Sequence, residues 1–282
     1  MKITENNGSV RVSELEYFSV EQTFDCGQCF RFTQEENGVS GFALGRAVTI
    51  RQLSESEIEI TPCTKNEFES EWLEYLGLSE DYGAIREDLT RNRQNDASLS
   101  ASMERGKGIR ILRQPKWETL CSFIISQNNN IPRIKKLISA LCAEGNKISG
   151  LGENVFPSPE VLLEMGQERI FALKTGFRAA YLYDAAQKVA SGEVDLEKVA
   201  LLPYAEASAE LCKIKGVGPK VAACTLLFGF GMYDAFPVDV WVKRLMDEYY
   251  GGMVSASDFG RYAGIAQQYL FYNRRYLEAG KK

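Results

Sequence analysis

Histidine is absent from all 282 residues. That excludes Ser-His-Asp hydrolysis, histidine general bases and imidazole-ligated zinc. No apolar run approaches the roughly 20 residues of a membrane span, and the opening MKITENNGSV is no signal peptide. Cys26-Gly27-Gln28-Cys29 is the sole CxxC. No second pair or histidine completes a zinc site, and no helix signal follows as redox motifs require. The seven cysteines of an intracellular-looking chain are therefore expected as free thiols. What is present is ordinary for a globular protein, with 45% apolar and 25% charged residues. The length suits two domains or one large one.

Positive charge is in deficit. A net charge of −5 argues mildly against a nucleic-acid partner, but its distribution argues the other way. Residues 55–90 hold eleven acids against Lys65 and Arg86. Residues 105–136 hold Arg105, Lys107, Arg110, Arg113, Lys116, Arg133, Lys135 and Lys136 against Glu118 alone. A positive face for phosphate is expected there.

Residues 1–61 read as short β-segments: 17–24, 28–33, 39–44, 47–53 and 58–61. Hairpin signals stand at Asn37-Gly38 and Gly45-Arg46. Phe68, Trp72, Tyr75 and Leu76 have helical spacing and could cover such a sheet, with Gly77 closing the helix. From residue 99 the chain reads as helical, and the polar 91–98 stretch is the expected joint. The fold class is α+β: an antiparallel β-sheet domain with covering helices over 1–98, then an α-helical domain over 99–282.

The centre of the chain is 204–242. Tyr204, Ala207, Leu211 and Ile214 recur at helical spacing. Gly216-Val217-Gly218 breaks the pattern, and Pro219 fits the first position of a new helix. A dinucleotide fingerprint would need a preceding strand and a third glycine, and neither is present. A helix–glycine turn–helix instead offers backbone N–H groups to phosphate without reading sequence. Lys220 falls in the first turn of the second helix. There the helix dipole and desolvation both favour the uncharged, nucleophilic amine. Asp239 precedes an apolar helical run as an N-cap, where it could face a developing positive charge. A solvated lysine and a purely structural cap are the plain alternatives.

LCKIKGVGPKVA followed by PVDVW resembles the helix–hairpin–helix plus Gly/Pro-Asp motif of DNA base-excision glycosylases. In that family a lysine matching Lys220 marks the members that form a Schiff base with the sugar, and the aspartate matching Asp239 is essential in nearly all members. CGQCFRF resembles the GQ-x-FRW motif of 8-oxoguanine DNA glycosylases, whose glycine carbonyl, at Gly27 here, accepts the N7 proton that guanine lacks. SQNNNIPRI is similar to that family's duplex-inserting loop. The match implies that Asn128 and Arg133 contact the cytosine left behind and that Asn129 fills the vacated space. Gly176-Phe177-Arg178 is similar to a Gly-Tyr-Arg element, implying an aromatic wedge and a second reader of that cytosine. Gln267 and Phe271 match the residues that bind and stack on the flipped base, and Cys224 matches the cysteine on its other face. An extruded purine does need such an aromatic platform and amide.

The resemblance runs from Gly27 to Phe271. It implies a TBP-like sheet domain before a helix–hairpin–helix domain, and a bacterial-type 8-oxoguanine DNA glycosylase/lyase. It further implies DNA-backbone contacts at Gly216, Val217, Gly218 and Trp241, with damaged duplex DNA as partner. A monomer in the cytoplasm, at the nucleoid, is expected, with no membrane. No cofactor and no iron–sulfur cluster are expected, since the four-cysteine pattern is missing. A monovalent cation could sit at the carbonyls of Cys212, Ile214 and Val217. Departures from the pattern stand at Lys215 (often Pro), Phe177 (Tyr), Trp241 (often His) and Arg274 (acidic). An alkylated-base glycosylase and a non-enzymatic DNA-backbone binder are the competing readings.

Overall fold

Alternate side chains of neighbouring strands meet on one face of a six-stranded sheet, in a computed structural model that describes residues 1–149 and 155–279. The strands are β1 (Lys2–Asn6), β2 (Ser9–Ser13), β3 (Phe32–Glu35), β4 (Gly38–Ala43), β5 (Arg46–Ser54) and β6 (Glu57–Thr61). Their order is β1-β2-β6-β5-β4-β3, and every pairing is antiparallel. Val10 pairs with Ile60, Val12 with Ile58 and Val39 with Ile50, so the buried set lies in register across neighbouring strands. Phe68, Trp72, Tyr75 and Leu76 cover that face as expected, and Gly77 ends their helix at φ +62°. Thr64 and Glu67 cap its start reciprocally.

The expected strand over 17–24 is instead the helix Val20–Phe24, capped by the Ser19 hydroxyl on the Gln22 N–H. Its partners are distant in sequence. Ser19 N–H and the Thr23 hydroxyl both donate to the Gly108 carbonyl, at 2.8 and 3.0 Å. The expected strand at 28–33 begins only at Phe32. Gln28 is wholly buried, its amide joined to the Thr23 and Arg110 carbonyls and to the Leu112 N–H. β1 and β2 were not expected: β1 is mostly exposed and lacks alternation, whereas β2 alternates buried Val10 and Val12 with outward residues. Both hairpins form one residue earlier than expected, closing at Glu35–Gly38 and Ala43–Arg46.

Two cores result. One lies between sheet and covering helix, over Val10 to Leu78 with Leu112. The other gathers the helices from Tyr82 onward, with Cys26 and Phe30 reaching in from the sheet side. The helix Tyr82–Asn92 therefore packs into the second core although it precedes the joint at 91–98. Arg110 pins the cores together. Its buried guanidinium lies over the Tyr82 ring and donates to the carbonyls of Glu16, Tyr17, Gly77 and Glu80.

Candidate active site

The hairpin joins the helices Tyr204–Leu211 and Pro219–Phe230. Gly216, at φ +79°, lies flat against Tyr181, and a Cβ there would sit 2.2 Å from the ring. No other residue fits without moving the turn. The second helix buries every residue from Val221 to Gly229, which fixes its N-terminus rigidly. Lys220 projects from its first turn, half-buried, with Nζ 5.5 Å from the centre of the Phe123 ring. Asp239 is the N-cap of the helix Val240–Tyr250, its Oδ1 accepting from Val242 N–H at 2.8 Å.

Two adjoining clefts share Lys220 and Asp239 at their junction. The deeper one brings Gly27, Cys224, Gln267 and Phe271 together. Gly27 adopts φ +84° opposite the edge of the Phe271 ring, in a loop rather than a strand. Gln267, from the C-terminal helix Ala263–Ala279, is 5% exposed, and its Oε1 has no partner. An orphaned buried acceptor costs about 1–3 kcal/mol, so it marks a place for a donor from outside. Burial pushes the Cys224 thiol up in pKa. The nearby Lys220 ammonium opposes that shift, and the Asp239 carboxylate adds to it.

The outer cleft is lined by Asn128, Asn129, Gly218 and Trp241, with Lys243. The three asparagines divide their work. Asn130 caps the helix Ile131–Ser149 by accepting from Arg133 N–H at 3.0 Å. Asn129 donates to the Ile125 carbonyl at 3.1 Å. Asn128 stands exposed at φ +47°, a conformation asparagine tolerates better than most residues. Phe177 is half exposed, edge-on to Tyr181 at 5.6 Å, just after Gly176 at φ +63°.

Arg178 departs from expectation. A reader of an opposite base should present its guanidinium to solvent, but this side chain is 3% exposed. It donates to the carbonyls of Gln127, Asn128 and Thr175. Burial, then the neighbouring Arg133 charge, lower its pKa. Here Arg178 holds the asparagine loop from behind, while Arg133 stays exposed beside that loop.

The expected positive face over 105–136 is also largely consumed. Arg110 is buried, Arg113 pairs with Glu80, Lys116 pairs with Glu197, and Lys135 donates to the Phe32 carbonyl. The cations at the clefts are instead Lys220 and Lys243, with Arg133 and Arg244 on their flanks. Arg274 pairs with Glu248 at 3.0 Å. Val217 N–H donates to the Ile214 carbonyl at 3.0 Å across the hairpin turn. All seven cysteines are free thiols. Among the described residues, no group of three or more acids or cysteines is placed to hold a metal ion.

Sequence reasoning missed Phe123, Gln268 and Lys243 as lining residues. Phe123 sits in an apolar run that reads only as core. Gln268 could have been suspected as a second amide next to Gln267 in an otherwise apolar stretch.

Residues 9–120 match the N-terminal domain of 8-oxoguanine DNA glycosylase. Residues 121–255 match the HhH-GPD superfamily of base excision DNA repair proteins. The chain is 30% identical over 279 residues to an N-glycosylase/DNA lyase of Arabidopsis thaliana, covering 88% of this chain and 75% of that one. It is 30% identical over 267 residues to the N-glycosylase/DNA lyase of Saccharomyces cerevisiae, covering 84% and 69%. A Clostridium acetobutylicum 8-oxoguanine glycosylase/lyase, solved with double-stranded DNA containing cytosine opposite 8-oxoguanine, superposes with a TM-score of 0.90. The two are 39% identical, and the match covers 99% of each chain.

Proposed function

The chain belongs to the 8-oxoguanine DNA glycosylase/lyase family of the helix–hairpin–helix superfamily, and from that premise we propose how its own residues carry out the reaction. It is a DNA N-glycosylase with associated lyase activity, acting in base excision repair. In the proposed mechanism it flips 8-oxoguanine, preferentially opposite cytosine, into the deeper cleft. The observation that carries this reading is the convergence of Lys220 and Asp239 on the cleft that holds Gly27, Gln267 and Phe271. The Gly27 carbonyl accepts the lesion's N7–H, where unmodified guanine would oppose one acceptor with another. Phe271 and Cys224 sandwich the purine, and Gln267 takes its hydrogen-bonding edge.

The lone pair of Lys220 Nζ bonds to C1′ while the glycosidic bond breaks and its electron pair leaves with the base. The Asp239 carboxylate stabilises the positive charge that develops on the sugar. Ring opening gives an iminium, and loss of a C2′ proton then expels the 3′-phosphate. Asn128 and Arg133 face the orphaned cytosine, Asn129 fills the vacated space, and Phe177 wedges beside the cytosine. The turn at Gly216, Val217 and Gly218, with Trp241, holds the DNA backbone through the N–H groups of Gly216 and Gly218, the Val217 N–H being spent on the Ile214 carbonyl. The carbonyls of Cys212, Ile214 and Val217 are the proposed seat of a monovalent cation. The protein is proposed to act as a monomer on nucleoid DNA.

The test is borohydride trapping on duplexes carrying one 8-oxoguanine opposite each of the four bases. A covalent adduct strongest opposite cytosine and absent from Lys220→Gln is expected. Equal trapping opposite all four bases would remove the cytosine reader but keep the nucleophile. Base release without any adduct would replace the lysine mechanism with attack by water.

A further inference from the structure

The two walls of the deeper cleft come from opposite ends of the chain. Gly27 lies on the loop between the helix Val20–Phe24 and β3, whereas Gln267 and Phe271 lie on the C-terminal helix. Two side chains of that helix tie the walls together. Gln268, 4% exposed, donates from Nε2 to the Cys26 carbonyl at 3.1 Å. Arg275 reaches the Asp25 carbonyl and both of its carboxylate oxygens, the latter at 3.1 Å. On the loop's other side, Gln28 is anchored to the Thr23 and Arg110 carbonyls, each at 2.8 Å. Gly27 is thus the one flexible unit between two tethered neighbours. Its positive φ leaves the carbonyl's direction to be set by those anchors.

Successive side chains on a helix point about 100° apart. Gln267 can therefore face the cleft with an unpartnered oxygen while Gln268 faces the loop. We infer that Gln268 is a positioning residue for base recognition: by holding the Cys26 carbonyl it sets the spacing and orientation of Gly27 relative to Gln267 and Phe271. The peptide plane joining Cys26 to Gly27 is rigid, so a bond to the Cys26 oxygen fixes the plane on which the Gly27 carbonyl turns. Without that bond the glycine loop relaxes, and its acceptor drifts from the purine edge.

The inference rests on the proposed flipped-base pocket, so its test uses two substrates. One is a duplex with 8-oxoguanine opposite cytosine. The other is a duplex with a preformed abasic site, which places no base in the cleft. Gln268→Met keeps the length and removes the donor. Its single-turnover base excision is expected to fall about tenfold or more, with cleavage at the abasic site within about twofold of wild type. Gln268→Glu, of the same shape, replaces the donor with an acceptor and should lose at least as much excision. Equal losses on both substrates would make Gln268 a general structural residue, and wild-type excision by either variant would remove its role. A wild-type enzyme that cuts the abasic site but releases no 8-oxoguanine would overturn the pocket reading itself, and this inference with it.

Discussion

Lys220 and Asp239 reach the junction of the two clefts from the N-terminal ends of two separate helices, Lys220 in a first turn and Asp239 as a cap. Both act electrostatically on the same neighbour, the Cys224 thiol, in opposite directions. A buried helix fixes the Lys220 backbone, and Asp239 caps a helix seated through Val242 and Leu245, so little need be ordered when a substrate arrives.

That arrangement lets the two roles of Asp239 be separated. Asparagine is as good an N-cap as aspartate, so Asp239→Asn should keep its urea midpoint while base excision falls about a hundredfold. Asp239→Ala should lose the rate and about 1 kcal/mol of stability as well. An excision rate in Asp239→Asn equal to wild type would take the carboxylate out of the mechanism.

Arg178 and Arg133 should part company. Arg178→Ala leaves three carbonyls without their donor, and roughly 2 kcal/mol of stability should go with it. Its duplex affinity should fall alike for every base opposite the lesion. Arg133→Ala should change stability by no more than about 0.5 kcal/mol yet reduce the preference for cytosine. Binding titrations against the four opposite bases, with urea unfolding alongside, decide the matter. A selective cytosine defect in Arg178→Ala would return that residue to base reading.

Phe177 is half exposed, with its ring against Tyr181 and Arg178. Phe177→Ala should leave the melting temperature nearly unchanged and weaken duplex binding about tenfold, as expected for one lost base–aromatic contact. Undiminished affinity would show that the ring does not enter the helix.

Stability should be flat across neutral pH and fall in alkali. There is no histidine to titrate. Burial pushes the thiols of Cys26, Cys63 and Cys142 up to about 11, and the phenols of Tyr233 and Tyr269 up to about 12. The folded pKa values lie above the unfolded ones, so the folded state holds these protons more tightly. Their stabilisation is complete below the unfolded thiol value of 9.0. It is lost as pH rises through the folded values. Urea midpoints should agree from pH 6.5 to about 8.5 and decline beyond about 9; a slope within the neutral range would contradict this assignment.

What the sequence determined by itself was local. Gly216-Val217-Gly218-Pro219 demands a turn into a helix, Asp239 demands a cap, and the spacing of Phe68, Trp72 and Tyr75 demands a helix on a sheet. Each of these rests on backbone preferences or periodicity acting within a few residues. Partnership was decided only by the tertiary structure. Arg110 and Arg178 read as available cations, yet each is spent on carbonyls from distant turns. The 17–24 segment reads as a strand, yet the Gly108 carbonyl holds it as a helix. Gln268 reads as one polar residue in a helix, yet it closes a bond to Cys26 from the far end of the chain. A charge or an amide takes its role from whatever desolvates it and bonds to it, and those neighbours are fixed only when the chain has folded.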